Sequence, residues 1–514
     1  MNRPPTTQSV PTAGTFLPAA ASRPDETAIV WSDQSISWSQ LDERARRWAS
    51  RLGRLGIERG DRLAVMAKNR PEWVIALVGN LLAGVRHVPM NWHLTVSEVA
   101  YILRDSGARV LVVDSDHESV GRDAARHAAV EHVVVVDETA DWLDDVPVEW
   151  RPTDLAGALL LYTSGTTGHP KGVLRSDQPP SLDEIMPSYR RLADAWRMTE
   201  GGTHLVVCPL YHGTPQVMTL MCLALGQSLV LMPSFDAETV LAAIERHRVT
   251  ATHLVPTQLL RLLRLPDGVR QRYDLSSLVG LWHGAAPCPA WVKQAMIEWL
   301  GPVVIEYFGS SEGTGPLIAD SNEWLSHPGT VGRPPPFLAV EAVDDEGTTL
   351  PTGAVGTLYF RRPEGPPTYV GAPEKTAASR LSDGRFTVGD VGWLDSDGFV
   401  YLADRKIDVI ISGGVNIYPS EIEAVISEHP GVADCVVFGI PDDEWGEQVK
   451  AVVELHRSSE TTERDLLDWC RERLAGFKCP RTIDLHDALP RDATGKLKRR
   501  LFRDQYWETT GRRI

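Results

Sequence analysis

The stretch Tyr162 to Val173 reads YTSGTTGHPKGV and directly follows the apolar run Ala158-Leu159-Leu160-Leu161. This order of strand, glycine-rich polar loop and lysine leaves few folds open. The apolar run has the length of a short buried strand. Behind it, Gly165, Gly168 and Gly172 free the backbone to turn successive N–H groups into one concavity, and Thr163, Ser164, Thr166 and Thr167 add hydroxyl donors. Lys171 contributes a point charge, while Pro170 removes one N–H and stiffens the exit. Such a nest suits the phosphates of a nucleotide. It is not a Walker loop, because Pro170 stands where that pattern demands glycine, and no G-x-G-x-x-G fingerprint is present.

The twelve residues resemble the phosphate-loop signature of the adenylate-forming superfamily, which includes acyl-CoA synthetases, luciferases and the adenylation domains of peptide synthetases. Among these the chain is most similar to bacterial fatty-acid-type acyl-CoA ligases. The totals agree with a chain of that kind. At 514 residues and 43% hydrophobic composition it can bury more than one core, so at least two domains are expected. A formal charge of −16 argues against nucleic acid and anionic membrane as partners.

Six cysteines are scattered without C-x-x-C spacing, which disfavours a zinc site or a disulfide framework and points to a reducing, cytoplasmic compartment. Met1 to Thr15 is rich in Pro, Thr and Ser and reads as a disordered leader. The longest apolar run, Trp73 to Val85, is interrupted by Asn80 and Gly84 and falls short of the ~20 residues of a membrane span. It is expected to be a core helix. The sixteen tryptophans are expected mainly in cores, with some available to line an apolar pocket.

Along the chain, AIVW and SISW from Ala28 predict a hairpin, and Leu41, Ala45, Trp48, Ala49 and Leu52 recur at helical spacing up to Gly56. Strands at 62–67, 110–113 and 133–136 alternate with helices at 73–82 and 97–104. A second round runs strand 205–208, helix 217–225, strand 229–231, helix 237–247 and strand 253–255. This rhythm predicts α/β layers with helices covering largely parallel sheets. From Thr330 to Phe360 short strands divided by Pro and Gly predict a small β-rich lobe, and DSDG at Asp395 to Gly398 predicts a hairpin. Beyond Arg405 a helix at 420–427, paired strands at 435–438 and 449–455 and a helix at 463–474 make a compact α+β segment.

The fold class is therefore α/β, with a large N-terminal domain of two sheet-and-helix lobes plus a small β-rich lobe, followed by a small mobile α+β C-terminal domain. The boundaries read as leader 1–15, AMP-binding domain 16–404 and mobile domain 405–514.

The resemblance implies the chemistry of the site. A carboxylate is a poor electrophile, and transfer of AMP from ATP supplies it with a leaving group. Such an enzyme needs a triphosphate cradle, a metal ligand, an adenosine site and a cation at the reacting phosphate. The cradle is the loop above. In the run Glu306-Tyr307-Phe308-Gly309-Ser310-Ser311-Glu312-Gly313, Glu312 matches the family glutamate that holds Mg²⁺, and Ser311 stands where threonine is usual.

Phe308 is expected against adenine, with Gly309 beside it, and Gly284-Ala285-Ala286 along the adenine edge. Asp390 matches the aspartate that accepts the ribose hydroxyls, and Arg405 its arginine partner. Lys496, in LPRDATGKLKRR, matches the lysine that reaches the α-phosphate and acyl carboxylate.

Lys496 serves adenylation and would obstruct the second step, so the resemblance implies rotation of the small domain between steps. Gly413 and Gly414 in IISGGVNIYP then face the site and make room for the pantetheine arm, which favours CoA as acceptor. His212 in PLYHGTP occupies the place of a gate to the acyl pocket, and Arg473, Lys478 and Arg481 are candidates for the CoA phosphates. The hinge departs from the family: Ile407 replaces the usual Lys or Asp, and a β-branched residue is stiffer there.

The cofactors implied are ATP/AMP, Mg²⁺ and coenzyme A, and the partner a small-molecule carboxylic acid or its adenylate. Small residues Gly213, Thr214 and Gly284 suggest a bulky or long apolar acid. The alternatives are a member performing mainly thioesterification of a preformed adenylate, a loader of carrier proteins, and a non-catalytic nucleotide binder. The sequence leaves oligomeric state open, a homodimer included.

Overall fold

Apolar runs of four or five residues recur between amphipathic stretches, and each run becomes a short strand roofed by helices. The computed structural model describes residues 16–136, 142–143, 146–149, 154–163, 170–174, 180–405, 408–413, 415–442, 444–457, 459–491, 497 and 499–508. The expected leader 1–15 and Ile407 lie outside them. Packing divides the chain into two units, residues 1–234 with 246–251 and residues 235–245 with 252–514.

In the first unit four parallel strands stand in the order Arg86–Pro89, Arg62–Met66, Ala108–Asp114, His132–Val136. Helices Pro71–Leu82, Val96–Ser106 and Glu118–Ala128 make the crossovers. The expectation missed the strand Arg86–Pro89 and the helix Glu118–Ala128. The former is too short and polar to show a period, and the latter buries only Gly121, Ala124 and Ala125. The hairpin Thr27–Trp31 with Gln34–Ser37 forms as expected, and its first strand continues in parallel to Ser228–Leu231 and Thr203–Val206.

Helix Trp38–Arg54 begins with a capping box in which Ser37 and Gln40 exchange hydrogen bonds, satisfying donors that a helix start leaves open. Its Trp38 and Trp48, with Trp73 of the neighbouring helix, are fully buried core side chains. Asn80, which interrupts the apolar helix Pro71–Leu82, has a structural task. Its Oδ1 accepts from Trp48 Nε1 at 2.9 Å and its Nδ2 lies 2.9 Å from His87 Nδ1, so the Asn80 amide gives partners to two buried ring nitrogens.

In the second unit Gly280–His283 and Val304–Phe308 pair in parallel, and Leu317–Asp320 returns antiparallel. A five-stranded sheet follows in the order Thr330–Gly332, Val400–Arg405, Asp390–Leu394, Gly356–Arg361, Ala339–Val343, the β-rich lobe of the sequence reading, here extending to Arg405. Its core holds Phe360, Phe386, Leu358 and Val400.

The last sheet is built on the long hairpin Val432–Asp442 with Gly446–Leu455, joined by Ile410–Ser412, Val415–Ile417 and the parallel strand Thr482–His486. Helices Pro419–Ser427 and Glu463–Arg473 pack on one side over Ile422, Ile426, Leu466 and Cys470. The six cysteines are free thiols. Among the described residues no helix is long and apolar enough to cross a membrane.

Candidate active site

Each unit presents part of the expected constellation. In the first, Leu161–Thr163 and Lys171–Leu174 form an antiparallel pair with Thr163 opposite Lys171 and Tyr162 opposite Gly172. The glycine-rich stretch thus connects the strands of a hairpin, and Lys171 begins the return strand. The strand starts at Leu161, later than the apolar run suggested, because Leu159 makes only a single bridge to His87. Ser164, Gly165, Thr166, Thr167 and Gly168, and the side chain of Thr163, lie outside the described residues.

Helix Val96–Ser106 clamps both limbs of this hairpin. Tyr162 Oη donates to Asp105 Oδ2 at 2.7 Å, Tyr101 Oη lies 3.2 Å from the Pro170 carbonyl oxygen, and Lys171 Nζ donates to Tyr101 Oη at 3.5 Å. Burial, and then the hydrogen bond to Asp105, push the Tyr162 phenol well above its ordinary pKa, so it stays a donor. The sequence reading missed Tyr101 and Asp105, whose only signal is their spacing of one helical turn.

His212 stands at the N-cap position of helix Gly213–Ala224 without a side-chain capping bond, and its ring lies 4.3 Å from that of Tyr211. A Cβ on Gly213 would meet Leu161 Cδ1 at 2.9 Å, so this helix start packs directly on the hairpin. One turn on, Gln216 is fully buried and neither of its amide atoms has a hydrogen-bond partner among the described residues.

In the second unit the strand Val304–Phe308 leads into Gly309 and Ser311 and on to Glu312. Glu312 is only 8% exposed, and its Oε1 accepts the Tyr369 hydroxyl at 3.0 Å. Tyr369 is itself buried, and burial together with the Glu312 charge raises its pKa far from neutrality. No hydrogen bond to Glu312 Oε2 is made among the described residues. Nor do three His, Cys, Asp or Glu side chains converge on one point there. A carboxylate with one oxygen fixed and one available fits Mg²⁺ brought in with substrate phosphates, a cation that takes few protein ligands.

Gly284 lies so close to the next strand that a Cβ would sit 2.4 Å from the Tyr307 carbonyl oxygen. Ala285 follows at φ +67°, a left-handed conformation uncommon for alanine and often found at functional loops. Ala286 completes the turn. Phe308 is half-buried, with its ring 6.3 Å from Phe360 in a stacked arrangement, so it packs on the β lobe through one side.

Asp390 and Arg405 are direct cross-strand partners at the head of their antiparallel ladder, and Asp390 is buried. Gly389 precedes it at φ +85°, with its N–H bonded to Thr387 Oγ1 at 3.0 Å. The Arg405 side chain lies outside the described residues, as do Lys496 and Gly414. Gly413 turns at φ +58° and its N–H donates to the Trp445 carbonyl at 2.7 Å; a Cβ there would strike the Trp445 ring at 2.5 Å. The three cations considered for CoA phosphates already have neighbours. Lys478 holds both oxygens of Glu421, Arg481 pairs with Asp442, and Arg473 lies over the Trp469 ring.

The strand pair joined by the glycine-rich stretch, the half-satisfied carboxylate of Glu312 and the Asp390–Arg405 strand pair are the parts that the sequence reading assigned to a nucleoside triphosphate. The profile of the AMP-binding enzyme family matches residues 16–370, and that of the AMP-binding enzyme C-terminal domain residues 421–496. The chain belongs to this family of adenylate-forming enzymes. It is an adenylate-forming ligase.

It is 34% identical to a feruloyl-CoA synthase of an Amycolatopsis species over 477 residues, covering 92% of this chain and 94% of that one. It is 32% identical to the fatty acid–[acyl-carrier-protein] ligase ScoC of Streptomyces coeruleorubidus, with 96% of each chain covered. The structure of o-succinylbenzoate CoA synthetase from Bacillus subtilis, in complex with its acyl-adenylate intermediate, matches with a TM-score of 0.81 at 30% identity, covering 94% of this chain and 96% of that one.

Proposed function

We propose that this chain carries out both half-reactions of an acyl-CoA ligase, forming an acyl adenylate from ATP and a bulky or long apolar carboxylic acid and then transferring the acyl group to CoA. The observation that carries the proposal is the buried Glu312 carboxylate, oriented through one oxygen by Tyr369 within a run that matches the family's metal-binding signature. In this reading residues 16–404 bind the nucleotide and acid, and residues 405–514 supply in turn Lys496 and the Gly413-Gly414 loop. The setting is the cytoplasm, and no nucleic acid is involved.

Bound Mg²⁺ would neutralise the triphosphate and let pyrophosphate leave. The chain's own residues do the rest. Lys171 and the hairpin backbone hold the phosphates, Asp390 and Arg405 hold the ribose, and Phe308 and the Gly284–Ala286 turn receive adenine. Lys496 donates to the α-phosphate oxygen and the attacking carboxylate, where one preorganised donor is worth about a hundredfold to a thousandfold in rate. His212 then separates the acyl pocket from the incoming thiol. Gln216, with an unpaired buried amide one turn beyond His212, favours an otherwise apolar acid that carries one hydrogen-bonding group.

Likeness to ScoC keeps a carrier-protein acceptor as the second reading. The test is mass-spectrometric detection of thioester. A panel of aliphatic and aromatic acids, with and without a distal hydroxyl, is supplied with ATP and Mg²⁺ in one arm, and the matching preformed adenylates in the other. The acceptor is either CoA or a phosphopantetheinylated carrier. Turnover with CoA in both arms, with the acid arm lost in Lys496→Ala, is expected. Turnover from adenylates alone restricts the chain to thioesterification, turnover only with the carrier makes it a loader, and activity confined to acetate-sized acids refutes the bulky-acid reading.

A further inference from the structure

Arg499 opens the last helix, Arg499–Glu508, and follows Lys496 by three residues. A cation in the first turn faces the positive end of the helix dipole, so the helix itself gives no reason for it. What holds it is a set of three carboxylates. Nη2 bonds both oxygens of Glu423 at 2.9 Å, and Nη1 lies 3.1 Å from Asp408 Oδ2 and 3.4 Å from Asp404 Oδ1. The guanidinium side chain is 18% exposed and that of Asp404 6%, so solvent screens these contacts little.

The carboxylates come from different elements. Asp404 is in Val400–Arg405, the strand of the β lobe that ends at the ribose arginine, and Asp408 stands just beyond the segment read as the hinge. Glu423 is in helix Pro419–Ser427, and its Oε1 also accepts the Val437 N–H at 2.8 Å. Asp404 Oδ2 accepts the Ser420 N–H at 3.0 Å, and Ser420 Oγ donates to the Ala403 carbonyl. The end of the β lobe, the first helix of the last domain and the helix that follows Lys496 are therefore tied to one another through one guanidinium. A large φ/ψ change between Arg405 and Asp408 would reorient Asp404 against Asp408, and one planar fork cannot keep both. The 3.4 Å contact to Asp404 is the longest of the set and the one that such a rotation stretches.

We propose that Arg499 is a positioning residue: by bridging Asp404 and Asp408 across the hinge and anchoring the helix behind Lys496, it sets how Lys496 is presented for adenylation. This rests on the reading of Lys496 and of the hinge given above. The role is distinct from that of a strut for the fold, which would serve both half-reactions alike.

The experiment measures ATP–pyrophosphate exchange and, separately, thioester formation from a preformed acyl adenylate, for wild type, Arg499→Met, Arg499→Lys and Asp404→Asn, with thermal melting of each. Exchange is expected to fall at least about tenfold in Arg499→Met while thioester formation stays within about threefold. Arg499→Lys, a point charge that cannot span three carboxylates, should recover exchange in part. Asp404→Asn leaves Arg499 its bonds to Glu423 and Asp408 and removes the charge from the contact across the hinge. It should shift the two rates in the same unequal way, and it decides the matter if Arg499→Met does not fold.

Equal loss of both rates in a folded variant, or no loss in either, overturns the inference. A wild-type enzyme without exchange activity refutes instead the reading on which it rests.

Discussion

Replacing Tyr369 with phenylalanine removes one hydroxyl from Glu312 and leaves the ring in place. The bond is 3.0 Å long, donor and acceptor are 5% and 8% exposed, and the phenol stays protonated across the working pH range because burial and the Glu312 charge raise its pKa. A hydrogen bond to a charged group is worth about 1.5–3 kcal/mol, or roughly 10- to 150-fold at 1.4 kcal/mol per decade. Loss of a partner that orients a metal-binding carboxylate typically costs about 10- to 100-fold in metal affinity.

The two routes to a magnitude agree, so the Mg²⁺ concentration for half-maximal pyrophosphate release should rise by about 10- to 100-fold in Tyr369→Phe. The rate at saturating Mg²⁺ should recover to within a few-fold. The assay is a Mg²⁺ titration at fixed, saturating ATP, with Glu312→Gln as the limiting case. An unchanged Mg²⁺ requirement with a lowered maximal rate would refute the assignment of Glu312 as the ligand that Tyr369 orients, and would place Tyr369 in some other role.

Gly284→Ala forces a Cβ to within 2.4 Å of a backbone oxygen and 2.8 Å of the Tyr307 ring, so it should cost about 1–3 kcal/mol, read as a lowered melting temperature. Gly309→Ala, whose nearest neighbour is at 3.4 Å, should cost little by the same measurement. Asn80→Leu leaves Trp48 Nε1 and His87 Nδ1 buried without their partner, and should destabilise by about 2–5 kcal/mol in urea titration; a neutral result would refute the network as a stabilising element.

Burial lowers the pKa of His87 to about 3 and of His204 to about 4. The unfolded chain binds these protons more readily, so the stabilising effect is full above the ordinary histidine value near 6.5. It is lost progressively as pH falls toward the folded values. The two together should remove about 2–3 kcal/mol between pH 7.5 and 5.5. A melting temperature flat over that interval would contradict it.

The strand and helix rhythm of both α/β rounds was legible because each element is written in short-range pattern: Ser37 and Gln40 cap a helix, and Asp395 to Gly398 turn a hairpin. The candidate site was legible in the sequence wherever the proposed chemistry is local. A glycine-rich loop, a glutamate four residues beyond a strand, and a lysine behind a Pro-to-Gly turn carry their meaning within a dozen residues, and they align with a known family without any knowledge of the fold.

What supports those residues was not legible. Tyr369 reaches Glu312 across 57 positions, Asp105 reaches Tyr162 across another 57, and Arg499 meets Asp404 across 95. Nothing in the local period marks such partners, since the signal exists only when two distant segments are brought together. The same holds for Asn80, which reads as an interruption of an apolar helix and proves to be the centre of a buried network.

By itself the sequence determined which residues can do the chemistry, because side-chain type and spacing set local backbone and donor inventory. The tertiary structure alone decided how those residues are oriented, because buried hydrogen bonds and ion pairs gain their strength from desolvation, and desolvation is a property of packing.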